Sequence, residues 1–491
     1  MSTPAPAGEA VAPRFKTHFV ESVLLTWVGN AGRIVIGLVA LRLVTDAIPE
    51  ADLGAYWILT SVAALLANFA DLGLSLGVVR HLPLAADARQ ACRLMQTTAV
   101  LRLAMLAFLC LLIAACRPGV LRLFGAEAIA SRYFYLYVFV VVNSLSELYT
   151  NFLQGQNRFR LIALYALLSS TVRLVLIVTL VRGLNMHVQG LFLAEALSMA
   201  LVALFAAWSS GYGGRFGLDR LQAVRQLRFG FPLYLNILLA YSATRLNTLF
   251  VGGMAGPAAV SYFSVASRIP DQLSLVQRSY NFVYLPNMSR LLAEPGSGQA
   301  ARLLAASLRI MSFSFAFLTL LMGFFRHELL GILAPPSYQV AAPAVPLLVG
   351  SLAFAALGNI LGSTLVALGD SRTPLYINLW TTLWSIVLNV VCIHLWGFLG
   401  AAWATFAFNV VAWAVTDLVL RRRIRTAGRG YLGILAFLAI VMLVGLRAGL
   451  ALRVALLAAA GGGSLLLSPA LRDDLLQVWN ARIRPRVRGA A

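Results

Sequence analysis

Seven arginines, Arg33, Arg102, Arg173, Arg245, Arg268, Arg278 and Arg309, stand inside apolar stretches long enough to cross a bilayer. A central arginine costs roughly 2.5 to 3.5 kcal/mol on insertion scales. Each must therefore lie shallow, meet a counter-charge or await an anionic ligand. The planar guanidinium fork suits the last task, because it donates paired hydrogen bonds to phosphate or carboxylate. The matching acids are Asp71, Glu147, Glu195, Asp271 and Asp417, fewer than the arginines. Arg245, Arg268, Arg278 and Arg309 have only Asp271 to face, while Arg102 is the one expected to snorkel to an interface.

Helical spacing puts Ser264, Arg268, Asp271 and Arg278 on one face, and Tyr234, Tyr241, Arg245 and Thr248 on another. Arg33, Arg245, Arg268 and Arg278, together with Arg173 and Arg309, form the candidate anion-binding set. The competing reading is interhelical ion pairs or places near the head groups. Asp71, Glu147 and Asp271 are candidates for coupling, since a carboxylate in a low-dielectric cavity can take up and release a proton during a cycle. For Asp71 and Glu147 the rival reading is a fixed partner for Arg33 or Arg173.

Asn378, Thr382, Ser385 and Asn389 form one polar stripe, and Thr405, Asn409 and Thr416 another. These groups suit sugar hydroxyls in a wet cavity and serve equally as interhelical hydrogen bonds. Trp380, Trp384, Trp396 and Trp403 read as packing and interface anchors.

The elements that must position these residues are transmembrane helices. The chain is 60% hydrophobic and only 12% charged, with apolar segments recurring along nearly all of its 491 residues. The first hairpin, about residues 23–81, has two apolar runs joined by the acidic turn from Thr45 to Leu53. Its second run reads as a single helix over 54–79. Thr26, Gly29, Asn30, Arg33 and Gly37 share a face of the first helix, and Ser61, Ala64, Asn68, Asp71 and Ser75 share a face of the second. Such stripes must look at another helix or a water-filled cavity.

Continuing this reading gives about fourteen spans. Their centres lie near Ile34, Leu66, Ala107, Val141, Leu174, Ser198, Ala240, Asp271, Ala316, Phe354, Ser385, Asn409, Ala439 and Leu457. The formal charge is +21, and Lys16 is the only lysine. Positive-inside asymmetry accounts for this surplus without nucleic acid: loops on the N-terminal side carry roughly three times as many basic residues as the opposite loops. Both termini are accordingly expected in the cytoplasm. No cleavable signal peptide is read, and the connecting loops are too short for a soluble catalytic domain. Cys92, Cys110, Cys116 and Cys392 have no metal or disulfide spacing, and the five histidines stand singly, so no metal, cofactor or catalytic residue is expected.

Gly155-x-x-Arg158 and Gly369-x-x-Arg372 each precede a long helix, six spans apart. A second loose match pairs residues 51–62 with 258–269. A six-helix period with unchanged orientation implies two similar lobes about an axis along the membrane normal. The expected divisions are a disordered cytoplasmic head (1–22), an N-lobe (23–208), a basic cytoplasmic linker (209–230), a C-lobe (231–420), two added spans (421–470) and a basic cytoplasmic tail (471–491). The fold class is thus an all-α polytopic membrane protein.

Leu41-Arg42-Leu43-Val44, Asp52-Leu53-Gly54-Ala55-Tyr56, Asp71-Leu72-Gly73-Leu74 and the turn Leu153-Gln154-Gly155-Gln156-Asn157-Arg158-Phe159 together resemble the oligosaccharide flippases. These belong to the multidrug/oligosaccharidyl-lipid/polysaccharide exporter superfamily. The resemblance implies two six-helix lobes around a cavity and a polyprenyl-pyrophosphate-linked oligosaccharide moved across a bacterial inner membrane by alternating access, for O-antigen, exopolysaccharide or capsule synthesis. The expected partners are that cargo, anionic membrane lipids at the basic loops and the pathway's polymerase machinery. A cation-coupled multidrug exporter of the same superfamily is the main alternative. Glu50-x-Asp52 is faintly similar to an acidic motif of polyprenyl-sugar-dependent glycosyltransferases, but the short outer loops count against an enzyme of that type.

Overall fold

Apolar runs this long must satisfy their backbone hydrogen bonds internally, and in the computed structural model they do so as helices, with no strand among the described residues. The structure describes residues 32–85, 87–124, 130, 132–212, 216–293, 298–370, 372–422, 430–445 and 449–474. The expected head, the arginine run after Arg422 and most of the tail lie outside them. Every one of the span centres read from the sequence falls within a helix. Among the described residues, 9 helices are long and apolar enough to cross a membrane, and two shorter apolar helices follow near the C-terminus.

The chain divides into two units between Arg245 and Leu246. In the first, α1 covers 32–47 and α2 Glu50–Phe69, after Pro49 starts the helix with acidic residues in its first turn. The continuous helix expected over 54–79 is interrupted. Residues 70–73 form a turn in which Leu72 (φ 47°) and Gly73 (φ 82°) are left-handed, and α3 resumes at Leu74–His81. A methyl group on Gly73 would run into the carbonyl of Gly230, so the break is a tertiary feature: two backbones meet where only glycine leaves room.

A single 3₁₀ turn, Leu82–Leu84, leads to α4 (Ala88–Phe124), then α5 (Phe134–Gly155). Helix α6 (Phe159–Leu176) widens into a π-helical turn at Ile177–Gly183, followed by α7 (His187–Ser210) and α8 (Arg220–Ala255). Helix α5 packs against α2 and α7, and α6 against α7.

The second unit takes in the end of α8, then α9 (Pro257–Ala293), α10 (Gln299–Phe324), the short α11 (Arg326–Leu333) and α12 (Ala344–Ala367). Next come α13 (Arg372–Trp396), α14 (Phe398–Arg421), α15 (Gly430–Gly445), α16 (Leu450–Leu467) and helical residues 469–474, here α17. Helix α12 is the buried centre, packed on α9, α10 and α14, with α13 on α14. These contacts repeat those of the first unit, with α9, α12, α13 and α14 in the places of α2, α5, α6 and α7. Helix α15 lies on α10 through close approaches of Gly323 to Met442 and Gly445 to Phe324.

Candidate functional site

The break between α2 and α3 creates the principal polar site of the first unit. Asp71 lies in the turn, and its carboxylate accepts hydrogen bonds from the Ser75 backbone N–H (3.1 Å) and hydroxyl, satisfying a donor of α3's first turn. Arg102 reaches this carboxylate from α4. The same guanidinium donates from Nη2 to Glu147 of α5 at 2.6 Å, from Nε to Ser144 at 3.0 Å and from Nη1 to Ser75 at 3.3 Å. Asn151 completes the network by donating to the Ser75 hydroxyl. From α8, Tyr234 donates to the Asn68 carbonyl at the broken end of α2 (2.9 Å), and Thr98 donates to Gln226 (2.8 Å).

Arg102 is thus not the shallow, snorkelling arginine of the sequence reading. It is 0% exposed, the largest fully buried side chain among the described residues. It stands fourteen residues into α4, about 21 Å along the axis, beyond the reach of its own side chain to the start of the helix. The sequence reading gave only a span centre near Ala107, and neither the helix start nor the partners, 31 residues before and 45 after, could be read from it. They are Asp71 and Glu147, so neither acid is the fixed partner of Arg33 or Arg173. One arginine against two carboxylates leaves the fully ionised cluster at −1. Glu147 is its accessible member, with 39% of its side chain exposed against 13% for Asp71 and 1% for Arg102.

A second pair, buried at Glu195 and half-buried at Arg173, joins α6 to α7. Arg173 meets Glu195 at 3.1 Å, and the same Glu195 oxygen accepts from Tyr56 of α2 at 2.9 Å. Tyr135 stacks on Phe192 with ring centroids 4.5 Å apart, within an aromatic group that also holds Tyr56 and Phe139. The acids of the first unit's spans are therefore taken by arginines.

The second unit pairs its charges differently. Arg309 does not depend on Asp271: it makes two bonds, at 2.8 and 2.7 Å, to Asp474 of α17. Asp417 pairs with Arg421 one helical turn away at 2.6 Å. Neutral links also join its helices. Asn389 donates to Asn247 (2.9 Å), which donates to Thr405 (2.8 Å). Tyr284 meets Thr364 (2.8 Å) and Ser363 meets Asn281 (2.7 Å).

Of the other sequence candidates, Arg33 is exposed at the start of α1, Arg245 is exposed on α8, and Arg268 is half-buried and Asp271 exposed on α9. Arg278 lies on α9, its side chain outside what is described. Asn378 is half-buried, and the Asn409 amide turns back to the Thr405 carbonyl (2.9 Å). Among the described residues, no group of three or more His, Cys, Asp and Glu could hold a metal ion. Sequence reading placed Ser75 and Tyr234 on polar helix faces without their partners, and missed the roles of Ser144, Asn151 and Tyr56; an isolated hydroxyl or amide in an apolar run carries no sign of its partner.

Comparisons with known proteins agree with this architecture. Residues 19–292 match the family described as polysaccharide biosynthesis protein, more than half of the chain, and residues 232–391 match the MatE family. The fold is similar to that of a lipid II flippase, MurJ, in an inward-closed conformation: TM-score 0.72 at 14% identity, covering 93% of this chain and 100% of that one. It is also similar to an inward-facing multidrug resistance transporter of the MATE family and MOP superfamily: TM-score 0.68 at 18% identity, covering 81% and 96%. A MOP-superfamily transporter from Pyrococcus furiosus aligns with TM-score 0.52 at 18% identity, covering 82% and 94%. Comparison with curated protein sequences gave no match. The chain is a multi-pass membrane protein that shares its fold with these transporters, and it belongs to the polysaccharide biosynthesis protein family.

Proposed function

We propose that this protein flips a polyprenyl-pyrophosphate-linked oligosaccharide across a bacterial inner membrane by alternating access, with both termini cytoplasmic, in the assembly of a surface polysaccharide. The observation that carries this reading is the disposition of charge. In the first unit Asp71, Glu147 and Glu195 are each held by an arginine, which favours an anionic over a cationic cargo. The family match over 19–292 and the likeness to a lipid II flippase support the same direction. Arg33, Arg245, Arg268 and Arg278 are the proposed pyrophosphate contacts, with Arg173 and Arg309 released to the cargo only if their ion pairs open. Asn378 and Asn409 would meet sugar hydroxyls, and the polymerase machinery of the pathway would receive the product. Asp71 and Glu147 would couple transport by exchanging a proton within the Arg102 cluster, and Asp271 is a third coupling candidate.

The match of residues 232–391 to the MatE family favours one second reading, a cation-coupled drug exporter. Proteoliposomes discriminate. Labelled polyprenyl-pyrophosphate oligosaccharide should become accessible to an impermeant quencher with the wild type, and the rate should fall at least about tenfold in Arg33→Ala and Arg245→Ala. Failure to move any lipid-linked donor, combined with counter-transport of a cationic dye, would replace the flippase by the exporter.

A further inference from the structure

At one end of the first unit, the 3₁₀ turn after α3 and the first turns of α4 and α8 form a small open cleft lined by His81, Leu84, Ala85, Gln90, Leu94, Gln222 and Arg225. Nothing in the transport reading uses it. Its polar lining is cationic or hydrogen-bonding, with no carboxylate among those residues. The nearby acids are engaged elsewhere: Asp87 accepts from the Gln90 N–H at 2.6 Å, and Asp219 accepts from the N–H groups of Leu221 (3.0 Å) and Gln222 (3.2 Å). The His81 ring packs edge-on to Phe229, with centroids 5.7 Å apart, and Arg80 covers that ring at 4.0 Å. This fixes the imidazole, yet its Nε2 is buried without a hydrogen-bond partner among the described residues. Burial, then Arg225 and Arg80, hold the His81 pKa below its ordinary value, as expected of a ring in a positive field without a counter-ion.

We propose that this cleft binds the phosphate of an anionic membrane lipid, with the Arg225 guanidinium, the His81 ring and the Gln222 amide as its polar contacts. A guanidinium and neutral donors of this kind match a phosphodiester seated at the open mouth of the cleft. The surroundings select a lipid over a free anion. Along the segment that supplies Arg225, Phe216 (71% exposed), Leu218 (63%), Leu221 (77%) and Val224 (55%) are uncovered. Arg220, Arg225 and Arg228 are exposed among them. Apolar side chains interleaved with arginines are the pattern of a helix start lying in the head-group plane, where the acyl chains of a bound lipid find cover.

The test is native mass spectrometry of the full-length protein released from nanodiscs holding equal parts phosphatidylglycerol and phosphatidylcholine. The wild type should retain phosphatidylglycerol selectively. Arg225→Gln and His81→Ala should each weaken that retention about tenfold, whereas Arg228→Gln, on the same helix but outside the cleft, should leave it unchanged. A thermal melt of each variant in the same nanodiscs confirms folding. Equal retention by folded Arg225→Gln and wild type would overturn the proposal. So would displacement of the lipid by millimolar inorganic phosphate, which would assign the cleft to a soluble anion. Because the readout is lipid retention, it is independent of which cargo the transporter moves.

Discussion

The two units repeat one packing scheme but fill it with different polar chemistry. In the first, ions lie deep and join three helices each: Arg102 ties α4 to the α2–α3 turn and α5, and Glu195 ties α7 to α6 and α2. In the second, amide and hydroxyl links join the helices, and each of the pairs Arg309–Asp474 and Asp417–Arg421 joins no more than two of them. Neutral links do not titrate near physiological pH, whereas a carboxylate-rich cluster can gain a proton and change its net charge. The shared scaffold therefore supplies position, and the side chains decide whether a helix junction is ionic or neutral.

The largest effect should come from Arg102→Leu, which abandons two carboxylates in the interior. A loss of about 3–5 kcal/mol is expected, seen as a fall in the thermal midpoint of the purified protein or as failure to accumulate. A variant that melts with the wild type would break the distinction between the units. Gly73→Ala should follow, at about 1–3 kcal/mol or more, because it adds a left-handed alanine and a clash with the Gly230 backbone. The same melting assay reads it, and Gly230→Ala should behave alike.

Glu195→Gln keeps an acceptor for Tyr56 and removes the charge facing Arg173. An expected cost of about 1–2 kcal/mol would place it between the two classes. In the second unit Asn389→Ala should cost only about 0.6 kcal/mol, the ordinary value of a membrane hydrogen bond. A double-mutant cycle with Asn247→Ala would measure the coupling directly, and a coupling as large as that between Arg102 and Glu147 would erase the contrast.

The smallest effect concerns the helix turns. After α5, Asn157 is left-handed (φ 58°), with Asn157 N–H to Gln154 at 3.0 Å and Arg158 N–H to Leu153 at 2.9 Å. After α12, Gly369 is left-handed (φ 87°), with its N–H to Val366 at 2.9 Å and Asp370 N–H to Leu365 at 3.1 Å. These are the same helix-ending motif, with Asn157 matching Gly369. Gly369→Asn should then be tolerated within about 0.5 kcal/mol, while Gly369→Ala should cost about 1 kcal/mol, both read by melting.

This register also marks what the sequence conceals. The repeat was legible, but matching Gly155 to Gly369 is two residues out, because asparagine does the conformational work of glycine in the first turn. The helices were legible because each is one uninterrupted apolar run. The break at Gly73 was not, since its cause, Gly230, lies far along the chain. Arginines and acids could be enumerated, but their pairing depends on which faces of α2, α4 and α5 converge, and no local pattern encodes it.

The Arg102 cluster also has a history written in residue order. Synthesis delivers Asp71 31 residues before Arg102, and Glu147 45 residues after it. At about 5–20 residues per second, the arginine is made with one counter-charge already in place and waits roughly 2–9 seconds for the second. By residue order alone, Arg102 therefore has one counter-charge already in the chain before α5 is made. Exchanging Arg102 and Asp71 would reverse that order, because the cation at 71 would then be made 31 residues before its first counter-charge.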